Sequence, residues 1–153
     1  MRPAIAVLTL VAAAAHPVAG QTIQGVWKPV EVVVDSGAAR GRHTTDVQPG
    51  LLVFTKRHYT MMFVQGFAPR AVPSDSAPDA QVALLFIPFT ANAGTYQRTD
   101  TTVTFTPTLA KHPAVMAGGP FTLQVRVKGD TLWAKGAPGT PGGDTWKWVR
   151  VER

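Results

Sequence analysis

The chain has no cysteine, three serines, two tyrosines and, among its 153 residues, no apolar run long enough to cross a membrane as a helix, which takes roughly 20 residues. Without cysteine there is no disulfide, no thiol nucleophile, no cysteine-ligated metal and no lipid-modified N-terminal cysteine. Ser36, Ser74 and Ser76 all fall in loop-type sequence, and none sits in a Gly-x-Ser-x-Gly elbow, so no Ser-His-Asp set is assembled. Beyond the N-terminal region His43, His58 and His112 stand apart from one another and from any carboxylate cluster, and no pair has the i, i+2 or i, i+4 spacing of metal ligands. The run from Gly136 to Gly143 is glycine-rich, yet it lacks the lysine and following helix of a phosphate-binding loop. The expectation is therefore a protein with no metal and no cofactor.

Charge is sparse at 16% of residues, with a formal net charge of +6. The basic residues are scattered and never form a cluster longer than two, whereas nucleic-acid binders concentrate such charge on one element. A mildly basic exported protein without a nucleic-acid partner fits better. Residues 1–20 read as a signal peptide. Arg2 forms the positive start, Ala4 to Ala15 the apolar stretch, His16-Pro17 the break, and Val18-Ala19-Gly20 the small residues before a cut near Gly20/Gln21. That implies a periplasmic or secreted protein spanning residues 21–153, with no membrane span in the mature chain and enough length for one core.

What remains is β-type sequence. Gly25 to Val34 is rich in valine and interrupted by Pro29, which cannot donate to a ladder and predicts a bulge or an edge there. Asp35 to Pro49 lacks periodicity and reads as a loop. Leu51–Thr55 and Tyr59–Gln65 form one hairpin around Lys56-Arg57-His58, and Gly94–Arg98 with Thr102–Thr106 forms another. Phe121–Lys128 and Thr131–Lys135 flank Gly129-Asp130, a two-residue turn, and Thr145–Glu152 is the last strand. Within Phe121–Lys128, Phe121, Leu123, Val125 and Val127 alternate with Thr122, Gln124, Arg126 and Lys128, as a barrel or sandwich wall would. Ala80 to Ile87, apolar almost all round and preceded by a Ser76–Asp79 capping signal, predicts one short buried helix or plug. Pro107 to Gly119 reads as a long connection. The fold expected is all-β: a single antiparallel up-and-down barrel of about eight strands with one short helix.

Gly25-Val26-Trp27 followed by a valine-rich strand resembles the Gly-x-Trp opening of lipocalins. Gly50-Leu51-Leu52-Val53-Phe54-Thr55, the Gly94-Thr95-Tyr96 strand start and Trp148-x-Arg150 resemble the bacterial lipocalin-like domain. Phe54-Thr55-x-x-His58-Tyr59, Phe89-Thr90-Ala91-Asn92 and Ala110-Lys111-His112-Pro113 look like an exported, uncharacterised branch of it. The resemblance covers nearly all of residues 21–153. It implies that Trp27 packs at the barrel base against Arg150, closing the first strand on the last.

A barrel interior makes a small apolar or amphipathic ligand the expected partner. Tyr59, Met61, Phe63, Tyr96, Trp133 and Trp148 are the candidate lining residues, although ordinary core packing accounts for them equally. Glu31 is the candidate ligand-orienting group or general base: period two puts it on the face of Trp27, where desolvation would raise its pKa. A bulge at Pro29 would instead turn it to solvent. Three functions follow. The first is an exported carrier or sensor of a small apolar molecule. The second is a barrel enzyme of cyclase or isomerase type that uses a buried acid. The third is a structural or protein-interaction module with a filled barrel.

Overall fold

A computed structural model describes residues 22–35, 37–136 and 143–153. The signal peptide expected at residues 1–20 and most of the Gly136–Asp144 loop lie outside the described residues. Eleven elements follow in chain order: β1 (Gly25–Val33), β2 (His43–Thr44), β3 (Gly50–Phe54), β4 (His58–Val64), α1 (Asp79–Phe86), β5 (Phe89–Arg98), β6 (Thr102–Ala110), α2 (Pro113–Ala117), β7 (Phe121–Lys128), β8 (Thr131–Gly136) and β9 (Thr145–Glu152). Strands β1 and β3 to β9 pair antiparallel in sequence order, and β9 returns to β1, closing an eight-stranded barrel. Closure leaves no long unpaired edge on these strands. Strand β2, within what reads as a loop, adds two rungs where Thr44 and His43 oppose Val32 and Val33 of β1.

Strand β1 carries the seam. Its first half pairs with β3, where Trp27 faces Leu52, and its other edge pairs with β9, where Trp27 faces Arg150. The register slips between Pro29 and Glu31. Proline interrupts the ladder, one extra residue is accommodated, and the inward parity flips: Trp27 and Pro29 are buried before the slip, Val32 and Val34 after it. Gly25 has φ +122°, and a Cβ there would collide with the Glu152 carbonyl oxygen, so the strand can begin beside β9 only with glycine. In the β7–β8 hairpin Gly129 takes φ +58° while among the described residues no non-glycine has positive φ, the pattern of a type II′ turn with glycine first. Along β7 the apolar set Phe121, Leu123, Val125 and Val127 is the more buried one and packs on the core, so the alternation read from the sequence does mark the inner wall.

Both helices correct the reading from sequence. Helix α1 forms one residue earlier than expected, but none of its residues is buried, and Leu84, Phe86 and Ile87 are exposed. Only Val82 and Leu85, three residues apart on one face, are partly buried, and the rest of the helix stands exposed. Its Ser76–Asp79 capping signal is unused, since the N-cap is Pro78 and makes no side-chain cap bond. At its other end Lys111 Nζ donates to the carbonyls of Phe86, Ile87 and Phe89. Helix α2 arises inside the Pro107–Gly119 stretch, with Pro113 in its first turn and His112 Nδ1 accepting from Ala114 N at 3.3 Å. Among the described residues no helix is long and apolar enough to cross a membrane.

Candidate ligand cavity

The barrel has two unlike ends. At the end where β1 starts and β9 finishes, Ile23, Trp27, Phe54, Tyr59, Val103, Phe105, Val125 and Leu132 fill the interior. The Tyr59 and Phe105 rings meet edge-on at 4.6 Å, and Phe105 stacks on Phe121 at 5.0 Å. Trp27 is fully buried, donates from Nε1 to the Ile23 carbonyl at 2.8 Å, and lies 4.0 Å below the Arg150 guanidinium. Arg150 Nη2 donates to the Thr22 carbonyl at 2.8 Å, Nη1 donates to the Gln24 carbonyl, and Nε lies 3.1 Å from Asp130 Oδ1. One side chain thus stacks on the plug residue, ties residues 22–24 across the base and engages the β7–β8 turn. This is the pairing the resemblance implied.

Towards the other end the side chains leave the interior unfilled. A cavity of about 680 Å³ remains, walled by Leu52, Met61, Phe63, Phe121, Leu123, Trp146 and Trp148 and roofed by Ala114, Val115 and Gly118 to Pro120, from α2 and the turn after it. The Phe63 and Trp146 rings are 5.5 Å apart, and those of Trp146 and Trp148 5.9 Å, giving an aromatic stripe along one wall. Gln65, Thr90 and Asn92 add polar groups, and Asp144 is the one charged side chain among the lining residues. Asp144 Oδ1 accepts from the Asp35 backbone at 3.1 Å. Asp35 in turn is held below the usual carboxylate range by the Thr145 hydroxyl and by Lys135.

The candidate residues divide. Met61, Phe63 and Trp148 line the cavity. Tyr59 does not; it is buried beneath it, donating to Asn92 Oδ1 at 2.7 Å, and burial pushes its pKa up to about 12. Tyr96 lies near the closed end, edge-on to Phe54 at 4.9 Å with its hydroxyl donating to the Thr55 carbonyl, and burial raises its pKa too. Trp133 does not line the cavity either: Leu132 and Ala134 point inward, so Trp133 faces out, beneath the Arg126 guanidinium at 4.0 Å. It borders a separate external groove of about 410 Å³ with Thr102, Gln124 and Lys135.

Glu31 takes the second of its two expected placements. The parity flip at Pro29 turns it away from the lumen, where Lys147 Nζ lies 3.1 Å and His43 Nε2 3.0 Å from its carboxylate. The hydrogen bond from Lys147, followed by that from His43, holds its pKa below the usual value. A carboxylate kept ionised outside the lumen is not the desolvated acid that the cyclase or isomerase reading requires. Asn92, Trp146, Phe121 and Leu123 were not among the candidates. Trp146 shares the parity of Trp148, and Phe121 and Leu123 belong to the alternating set on β7, so period two carried a signal for all three. Nothing in the sequence singles out Asn92. Among the described residues no group of three His, Asp or Glu side chains is placed to hold a metal ion.

No protein-family model and no curated protein matches the chain. Among solved structures it is similar to a lipocalin-like protein from Bacteroides uniformis, at 12% identity and a TM-score of 0.48, over 84% of this chain and 97% of that one. It is also similar to an uncharacterized protein from Bacteroides eggerthii, at 11% identity and a TM-score of 0.45, over 84% of this chain and 98% of that one. The barrel itself rests on the closed strand pairing.

Proposed function

We propose that this protein is an exported carrier or sensor, periplasmic or secreted, that holds a small, largely apolar molecule in its barrel lumen. The observation that carries the reading is the cavity of about 680 Å³ walled by apolar and aromatic side chains. Its volume falls within the roughly 300–1,000 Å³ of small-molecule sites, and its few polar groups match their usual composition. A purely structural barrel would be expected to fill that space, as the closed end is filled, because an unfilled void forfeits dispersion contacts on every wall. The external groove is the weaker candidate, since its aromatic face is already covered by Arg126.

Native mass spectrometry of protein purified from its host tests the reading. The expected result is a non-covalent adduct of a small molecule, lost on denaturation, on a chain that begins near Gln21. A chain that carries no adduct and also fails to bind any apolar fluorophore would overturn the carrier reading. A processed chain retaining residues before Val18 would overturn export.

A further inference from the structure

We propose that the lumen selects neutral, flat apolar molecules bearing one hydrogen-bond acceptor, such as an aryl ketone, whose carbonyl oxygen is received by the side-chain amide of Asn92. The inference rests on the lumen being the ligand site. Asn92 is buried, at 7% exposed, and is among the residues that line the cavity. Its Oδ1 is taken by the Tyr59 hydroxyl at 2.7 Å. Tyrosine here is a rigid donor held in the packed base, so it fixes the amide with its nitrogen, which carries two hydrogens, turned the other way. That nitrogen has no hydrogen-bond partner among the described residues, and no fully buried side-chain polar atom among them lacks one. Nδ2 therefore has access to the cavity, where a ligand acceptor would complete it.

The rest of the wall sets the charge and shape of that ligand. Among the described residues no lysine, arginine or histidine lines the cavity, and the one charged group that does, Asp144, is an acid. A ligand carboxylate would be desolvated without a counter-ion and repelled by Asp144, whereas a neutral carbonyl needs only a donor. The stripe of Phe63, Trp146 and Trp148 offers ring faces to a planar molecule.

Three fluorophores on one scaffold test this: the naphthalene ketone prodan, its parent dimethylaminonaphthalene without the carbonyl, and dimethylaminonaphthoic acid at a pH where it is ionised. The full protein should bind the ketone on the order of tenfold more tightly than the parent and the acid most weakly, tenfold being the weight of one well-made hydrogen bond. Asn92→Leu should remove the ketone's advantage over the parent and shift bound-ketone emission to the blue as its carbonyl loses a donor. Because that variant strands the Tyr59 hydroxyl, the pair Tyr59→Phe, Asn92→Leu, which removes both partners, should behave the same way. Equal binding of all three probes, or ketone emission unmoved by both variants, would overturn the Asn92 assignment while leaving the lumen site standing. Failure of all three to bind would overturn the lumen site itself.

Discussion

Arg150 and Trp27 are register partners across the β1–β9 seam, and the guanidinium sits 4.0 Å over the indole ring. The contact joins the start of the barrel to its end at a point where the ring is fully buried and the arginine side chain only 5% exposed. It also explains the glycine two residues earlier: a side chain at Gly25 would meet both the Glu152 carbonyl and the Arg150 guanidinium. Trp27→Ala should cost about 3–5 kcal/mol in urea denaturation, mostly through the cavity it leaves. Arg150→Ala should cost about 1–3 kcal/mol, because carbonyls at the base lose their donors. The double variant should lose less than the sum by roughly 0.5–2 kcal/mol, and strict additivity would show that the stacking contributes nothing.

Tyr59 and Tyr96, the two tyrosines of the chain, are both desolvated, the first with a pKa pushed up to about 12. Burial favours the neutral phenol, so its folded pKa exceeds the unfolded value of about 10. The stability tied to it is fully present below pH ~10 and is lost as pH rises towards the folded value. Ultraviolet titration of the native protein should show tyrosinate forming at higher pH than in the unfolded chain. A reversible native transition near pH 10 with the amplitude of two tyrosines would contradict this packing.

The acid limb depends on the outer face. Glu31 and Asp35 are held below their ordinary values of 4.5 and 3.8, the first mainly by Lys147 and the second mainly by Thr145. Their contribution is present above those ordinary values and is lost as pH falls through the depressed folded ones. Melting temperature should therefore fall below pH ~4.5, and Glu31→Gln should flatten part of that decline by lowering stability at neutral pH while changing little at acid pH. Steeper acid destabilisation in Glu31→Gln would show the carboxylate to be better protonated in the fold.

Leu123 is half-buried on the cavity wall and leaves room beside it. Leu123→Trp should occupy part of the void and weaken apolar fluorophore binding by at least about tenfold. Stability should shift by no more than roughly 1–2 kcal/mol, because the added ring fills space rather than displacing neighbours. Unchanged binding with an intact fold would place the fluorophore elsewhere, the external groove beside Trp133 being the alternative.

Period-two alternation and turn chemistry determined by themselves that this chain makes short antiparallel strands, that Phe121, Leu123, Val125 and Val127 share one face, and that Gly129-Asp130 turns the chain. The resemblance in the Gly25–Trp27 and Trp148–Arg150 segments reached the closure of β1 on β9 and the contact that seals it. The strands and the turn depend on residues close in sequence and on a local backbone demand, the positive φ at Gly129. Tertiary structure decided the rest. The register slip after Pro29 moved Glu31 from lumen to surface, a change of face that one extra residue produces and that sequence spacing leaves open. Whether α1 or α2 would roof the barrel depended on which apolar surface found a partner, not on which was more apolar. The cavity exists because Leu52, Met61, Phe121, Trp148 and their neighbours, from strands around the barrel, leave the space between them unfilled. A void is a property of that packing and belongs to no single residue, and the same is true of the free amide edge that Tyr59 leaves on Asn92.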